Sequence, residues 1–376
     1  MSLPRADIDP DGLLEYSVVF TDRSLNHMSQ SFVGSMQSLL QTLRSTYAAE
    51  AVALVPGGGS YAMESVARQL ATGRRTLILR NGLFSYRWSQ IIDAAQITDD
   101  VSILAARPVD DSPHSAWVPA PLDEVVAKIT ELAPEVVFAP HVETSSGILL
   151  PDDYVRAVAD ATRAAGGIFV LDCVASGALW VDMAELGIDV LISAPQKGWS
   201  GSASTGYVML SERGRAAVAT GTSTSFSLDL GAWLGVSQSY VEGKSPYRAT
   251  LPTDAIAHNA EVATETTERG LDKLRLAQIE LGEGVRGLLA AHGFGSVAAP
   301  EYASPTVVVV HTDDPQIQSG AAFAEVGLQV AAGVPLQCGE GPNWSTVRMG
   351  LFGLDKLDDV QGTLTRLEEA LDKLAR

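Results

Sequence analysis

"EVVFAPHVETSSGILLPDDYVRAVADATRAAGGIFVLDCVAS", residues 135–176, decides the fold. Its two ends, "EVVFAPHVE" and "IFVLDCVAS", carry short continuous apolar runs, the pattern of strands buried on both faces of a parallel sheet. Between them "PDDYVRAVADATRAAGG" opens on Pro151 and two acids and closes on glycine, the start and stop signals of a helix. The same rhythm extends in both directions. Upstream, "AVALVPGGG", "RTLILRNG" and "VSILAA" read as strands. They alternate with the helical segments "SYAMESVARQLATG", which stops at Gly73, "FSYRWSQIIDAAQ" and "PLDEVVAKITELAP". Downstream, "VLISAP" is a further buried strand. Strands alternating with helices predict an open α/β sheet covered on both sides.

The rhythm changes after about residue 252. A long helical segment is expected from Thr253 towards Leu289, followed by "SPTVVVVHT", "GAAFAEVGLQVAAG", "STVRMGLFG" and the amphipathic "KLDDVQGTLTRLEEALDKLAR". At 376 residues the chain exceeds one ordinary core, which favours two domains. The reading is an N-terminal segment over 1–20, a large domain over 21–255 and a small C-terminal α+β domain over 256–376.

The net charge of −19 is spread along the chain and repels phosphate backbones and anionic lipid. Nucleic acid and membrane surfaces are therefore not expected partners. There is no apolar run of about 18 residues and no basic, apolar leader, so a cytoplasmic protein is expected. The two cysteines, Cys173 and Cys338, are far apart, and the six histidines form no HxH or HxxxH pair. Neither a disulfide scaffold nor a bound metal is expected.

In an open α/β sheet, ligands sit beyond the carboxyl ends of the strands. Gly57 to Ser60, Glu143 to Ser146, Asp172 and Lys197 all fall at or just past such ends. "PGGGSYAMES" places glycines between a strand and a helix, where backbone N–H groups close on an anion. Its spacing Gly57-x-Gly59-x-x-Ala62 also fits a dinucleotide turn, although the next strand ends in Arg80 and Asn81 rather than an acid. Asp172 ends an apolar strand and needs a cationic or N–H partner if buried. Lys197 lies 25 residues further on (197 − 172), one crossover unit away, and a desolvated amine there is a better nucleophile. An anion cup, a buried acid and a buried amine together meet the requirements of pyridoxal 5′-phosphate.

The ordered blocks "PGGGSYAMES", "RNGLFSYRW", "HVETSSG", "LDCVASG", "SAPQKG", "SPYRAT" and "VRMGLFG" resemble the class V, fold-type I pyridoxal-phosphate aminotransferases, in particular the alanine–glyoxylate and serine–pyruvate type. The resemblance covers roughly residues 30–370. It implies a mostly parallel seven-stranded sheet sandwiched by helices, plus the small domain. It also implies a Schiff-base lysine at Lys197, a ring-nitrogen partner at Asp172 and a phosphate cup at Gly58, Gly59 and Ser60. Phe84 matches a ring-stacking aromatic, Thr144 a hydroxyl that contacts the cofactor, and Gln196 precedes the lysine as in the family. Tyr247 and Thr250 match a pair that reaches the neighbouring subunit's phosphate, implying a homodimer with shared sites. Arg348 matches the arginine that clamps a substrate carboxylate, a task suited to guanidinium. The implied reaction is ping-pong transfer of an amino group from a small amino acid such as serine or alanine to a small 2-oxo acid such as glyoxylate or pyruvate.

The chain departs from that pattern at "VVFTDRSLNHMSQSF" (18–32), where a glycine/proline-rich segment is expected, and at "WSGSASTG" after the lysine, where Trp199 reads as packing. Three alternatives stay open. A cysteine desulfurase or β-lyase of the same fold would use Cys338, ten residues before Arg348. An NADP enzyme would use Gly57, Gly59 and Arg80. A cofactor-binding sensor without turnover would need no substrate arginine.

Overall fold

The computed structural model describes residues 13–374; residues 1–12 of the expected N-terminal segment lie outside them. A helix, α1 (Gln30–Thr46), precedes β1 (Ala51–Pro56). There follow α2 (Gly59–Leu70), β2 (Thr76–Arg80), α3 (Leu83–Ala95), β3 (Val101–Ala105), α4 (Leu122–Leu132), β4 (Val136–Pro140), α5 (Asp152–Ala164) and β5 (Ile168–Asp172). Two more strands, β6 (Val190–Ser193) and β7 (Thr205–Leu210), complete a seven-stranded sheet. The predicted apolar runs become strands buried at every position in β4, β5 and β6, as double-sided cover requires.

The strand order is β1-β7-β6-β5-β4-β2-β3. Only β7 runs against its neighbours, pairing antiparallel with both β1 and β6. Six carboxyl ends therefore share one rim, the mostly parallel sheet that the resemblance implied. In the β4/β5 register Pro140 faces Asp172, and in the β5/β6 register Asp172 faces Ile192, so the acid ends a central strand. Pro151 precedes α5, and Asp152 and Asp153 occupy its first turn, where carboxylates complement the helix dipole.

Beyond β7 come α6 (Glu212–Thr220), α7 (Leu230–Val241), α8 (Thr253–Arg269) and α9 (Leu271–Ala291). The long helix expected from Thr253 is thus two. Gly270 separates them with φ of +90°, a conformation closed to most side chains. A three-stranded antiparallel sheet follows, from β8 (Val307–His311), β9 (Ala331–Ala332) and β10 (Thr346–Gly350) in the order β8-β10-β9. Two helices, α10 (Leu354–Asp358) and α11 (Val360–Leu374), end the described chain. Among the described residues no helix is long and apolar enough to cross a membrane.

Candidate active site

The rim loops converge on a cavity of about 460 Å³ lined from both sheets. The loop after β1 brings Gly59 and Ser60 to its wall. No side chain caps the start of α2. Among the described residues, the backbone N–H groups of Gly58, Gly59 and Ser60 find no protein acceptor. Orphan N–H groups at a helix start, with the dipole behind them, are the physical basis of an anion cup.

Asp172 lines the cavity while only 8% exposed. It accepts one hydrogen bond, from Val174 N–H to Oδ1 at 2.9 Å, and makes no ion pair among the described residues. Burial pushes its carboxyl up from an ordinary 3.8 to about 6; the Val174 bond opposes this, Glu143 adds to it and Arg87 opposes it. A buried carboxylate with spare acceptor capacity and no cation is costly unless a ligand supplies one. A protonated ring nitrogen is such a partner, so the residues fit pyridoxal phosphate here.

Lys197 follows β6 and lines the same cavity, half-buried. Its Nζ makes no hydrogen bond or ion pair among the described residues and lies 5.0 Å from the centre of the Phe352 ring. Burial and, after it, Arg348 hold its pKa below the ordinary lysine value, which favours the neutral, nucleophilic amine. Gly198 is needed for the approach of this loop to the one after β5. A side chain there would collide with the Gly177 carbonyl oxygen. Trp199 is 2% exposed. Its Nε1 donates to the Tyr47 hydroxyl (3.1 Å), which donates to Ser193 Oγ (3.3 Å), so Trp199 packs as expected.

The third wall is the start of α3. Glu143, fully buried, accepts hydrogen bonds from Phe84 N–H (3.1 Å), Ser85 N–H (2.9 Å), Ser85 Oγ (2.7 Å), Ser145 N–H (3.1 Å) and Ser145 Oγ (2.7 Å). One carboxylate thus caps the helix that carries Phe84 and Arg87, both of which line the cavity. From the small sheet, Arg348 on β10 completes the wall. Its Nε donates to the Ala332 carbonyl (2.9 Å), it has no acid partner among the described residues, and its guanidinium lies 5.7 Å from the Phe84 ring centre.

No family model matches the chain. A 2-aminoethylphosphonate–pyruvate transaminase of Burkholderia mallei is 29% identical over 363 residues, covering 94% of this chain and 90% of the relative. Among solved structures, an alanine–glyoxylate aminotransferase of Nostoc sp. superposes with a TM-score of 0.77 at 22% identity, covering 93% and 89%. An aspartate aminotransferase of Thermus thermophilus superposes at 0.76 and 24% identity, covering 93% of both chains. The chain has the fold of the class V, fold-type I aminotransferases.

Of the residues assigned from that family's motifs, Gly59, Ser60, Phe84, Thr144, Asp172, Gln196, Lys197 and Arg348 all border the cavity, and Gly58 immediately precedes α2 beside it. Tyr247 and Thr250 do not border it. Tyr247 is 58% exposed, with its ring 5.7 Å from that of His27, and Thr250 is exposed. Two residues without an assigned role matter as well. Arg87 lies three positions after Phe84 on one helix, a spacing that puts both on the same face. Glu143 was legible only as a residue at a strand end. Cys338 does not border the cavity. Burial above all pushes its thiol up to about 12, and its Sγ faces the Arg80 carbonyl at 3.4 Å. A thiol held protonated is a poor sulfur acceptor. Arg80 hydrogen-bonds the Gln337 carbonyl (3.1 Å) and Ser89 Oγ (2.9 Å), also away from the cavity.

Proposed function

We propose that the chain is a pyridoxal-phosphate-dependent transaminase carrying an amino group from a small amino acid to a small 2-oxo acid. The observation that carries this reading is that the Lys197 amine and the Asp172 carboxylate, which has no cationic partner among the described residues, line one cavity beside a helix start that no side chain caps. Gly58, Gly59 and Ser60 would hold the phosphate, Phe84 the ring face, Asp172 the ring nitrogen, and Thr144 and Gln196 the ring's periphery. When bound, the cofactor supplies an aldehyde carbon for Lys197 and an electron-accepting ring.

The chain's own groups do the rest. Arg348 holds the anionic group of the substrate, and its Nε bond to Ala332 fixes the guanidinium's direction. Lys197 Nζ would take the proton from the substrate's Cα as general base and, as general acid, deliver it to the carbon that was the cofactor's aldehyde rather than back to Cα. Its lowered pKa raises the neutral fraction available for the first of these tasks. Apolar Val174, Ala175 and Val142 line the same space and limit water there. The relatives named for 2-aminoethylphosphonate and pyruvate make pyruvate the first acceptor to assay and an aminophosphonate a donor to set beside serine and alanine.

The direct test is to add pyridoxal phosphate, reduce with borohydride and map the modified peptide. The adduct is expected on Lys197, and an adduct confined to another lysine rejects the reading.

The finer expectations belong to the same proposal. The working unit is a homodimer, with Tyr247 and Thr250 serving the neighbour's phosphate cup, and the domain division at 255/256 separates the sheet that holds the cofactor from the one that holds Arg348. Support comes from Tyr61, Phe226 and Tyr247, large side chains 53%, 66% and 58% exposed on one chain. Sedimentation at micromolar concentration should return a two-chain mass; a monomer rejects shared sites. The spread acidic charge and the two unpaired cysteines support a cytoplasmic location, for which recovery with membranes or outside the cell is the contrary result.

A further inference from the structure

Arg87 has no place in the assignments made from sequence, yet it lines the cavity. Its Nη1 donates to Ser60 Oγ at 2.9 Å, which puts a guanidinium against the second residue of α2. The guanidinium carbon lies 5.0 Å from the centre of the Phe84 ring, so the aromatic holds it in place. Among the described residues it makes no ion pair, in a chain that carries 45 acidic residues against 26 basic ones. The N–H groups of Gly58, Gly59 and Ser60, beside it, are themselves without protein acceptors. A cation left unpaired next to three orphan donors implies an anion with more than one oxygen and more than one negative charge.

We propose that Arg87 is a fourth arm of the cofactor cup, neutralising the phosphate dianion from α3 while the start of α2 supplies N–H donors. The inference rests on the transaminase reading and adds to it a residue that separates the phosphorylated cofactor from its unphosphorylated form. Arg348, near the same Phe84 ring, is left to the substrate. Two guanidiniums at one aromatic wall thus take different anions.

The alternative is that Arg87 and Arg348 together grip a doubly charged substrate. The two are told apart by binding, without turnover. Affinities of the cofactor-free protein for pyridoxal 5′-phosphate and for pyridoxal are measured by absorbance titration, for wild type, Arg87→Gln and Arg87→Lys. Loss of a charge-assisted hydrogen bond should weaken pyridoxal phosphate binding by about 10- to 100-fold in Arg87→Gln while leaving pyridoxal within about twofold. Arg87→Lys, which keeps the charge but not the fork, should fall between. Equal losses for both ligands would make Arg87 a support for Phe84 and overturn the proposal. So would unchanged phosphate affinity with a raised KM for dicarboxylate acceptors only. If Arg87→Gln does not fold, the same comparison in Arg87→Lys decides. Wild-type protein that binds neither form would instead reject the transaminase reading itself.

Discussion

Lys197→Ala is expected to lower kcat/KM for amino transfer by about 10⁴-fold, because it removes both the nucleophile and the group that shuttles the Cα proton. The amine makes no hydrogen bond or ion pair among the described residues, so its loss should change unfolding free energy by less than about 1 kcal/mol in the cofactor-free protein. Rate and stability therefore separate. Single-turnover absorbance changes with alanine or serine give the first quantity and denaturant unfolding gives the second. A small soluble amine such as ethylamine should restore part of the rate by supplying the missing base. A variant within tenfold of wild type would show that the chemistry uses a different group.

Asp172→Asn should produce two effects of opposite sign. The carboxyl's pKa is raised on folding, from 3.8 to about 6, chiefly by burial. The folded state therefore binds more protons than the unfolded state between these values. Stability is full below about pH 4, falls as pH rises through 6, and stays lower at 7. Two units correspond to about 2–3 kcal/mol. Asparagine keeps an oxygen for the Val174 N–H and carries no charge, so the cofactor-free variant should be about 2–3 kcal/mol more stable than wild type at pH 7 and no more stable at pH 4. Amino transfer should fall by about 10²- to 10³-fold, since asparagine cannot stabilise a positive charge opposite it. Urea melts at the two pH values, with the half-reaction rate, test both. An active variant with unchanged stability would mean that Asp172 is neither strained nor used.

These two residues were legible because burial is written in the chain. A polar residue after four apolar ones in "IFVLD" must end a strand at a depth where water is scarce. The strands themselves were legible for the same reason. The final strand of the large sheet, Thr205–Leu210, was not, because it follows a serine- and glycine-rich loop and returns antiparallel, outside the strand–helix rhythm. Nor was α1. Its apolar stripe of Phe32, Met36, Leu39 and Leu43 has helical spacing, but the helix starts inside the segment that departs from the family pattern. Gly270 breaks a helix whose apolar pattern runs through the break. The roles of Glu143 and Arg87 depend on contacts 58 and 27 residues away in sequence, which no local pattern encodes.

Glu143 anchors the third wall through main-chain N–H groups and two serine hydroxyls, and none of these hydrogen bonds involves the Phe84 side chain. The bracket and the panel it supports are separate parts. An exchange of the aromatic at position 84 leaves the bracket intact, whereas removing the acid would loosen ring wall and guanidinium together. The stacking surface offered to the cofactor ring can therefore change at the panel while the scaffold behind it stays fixed.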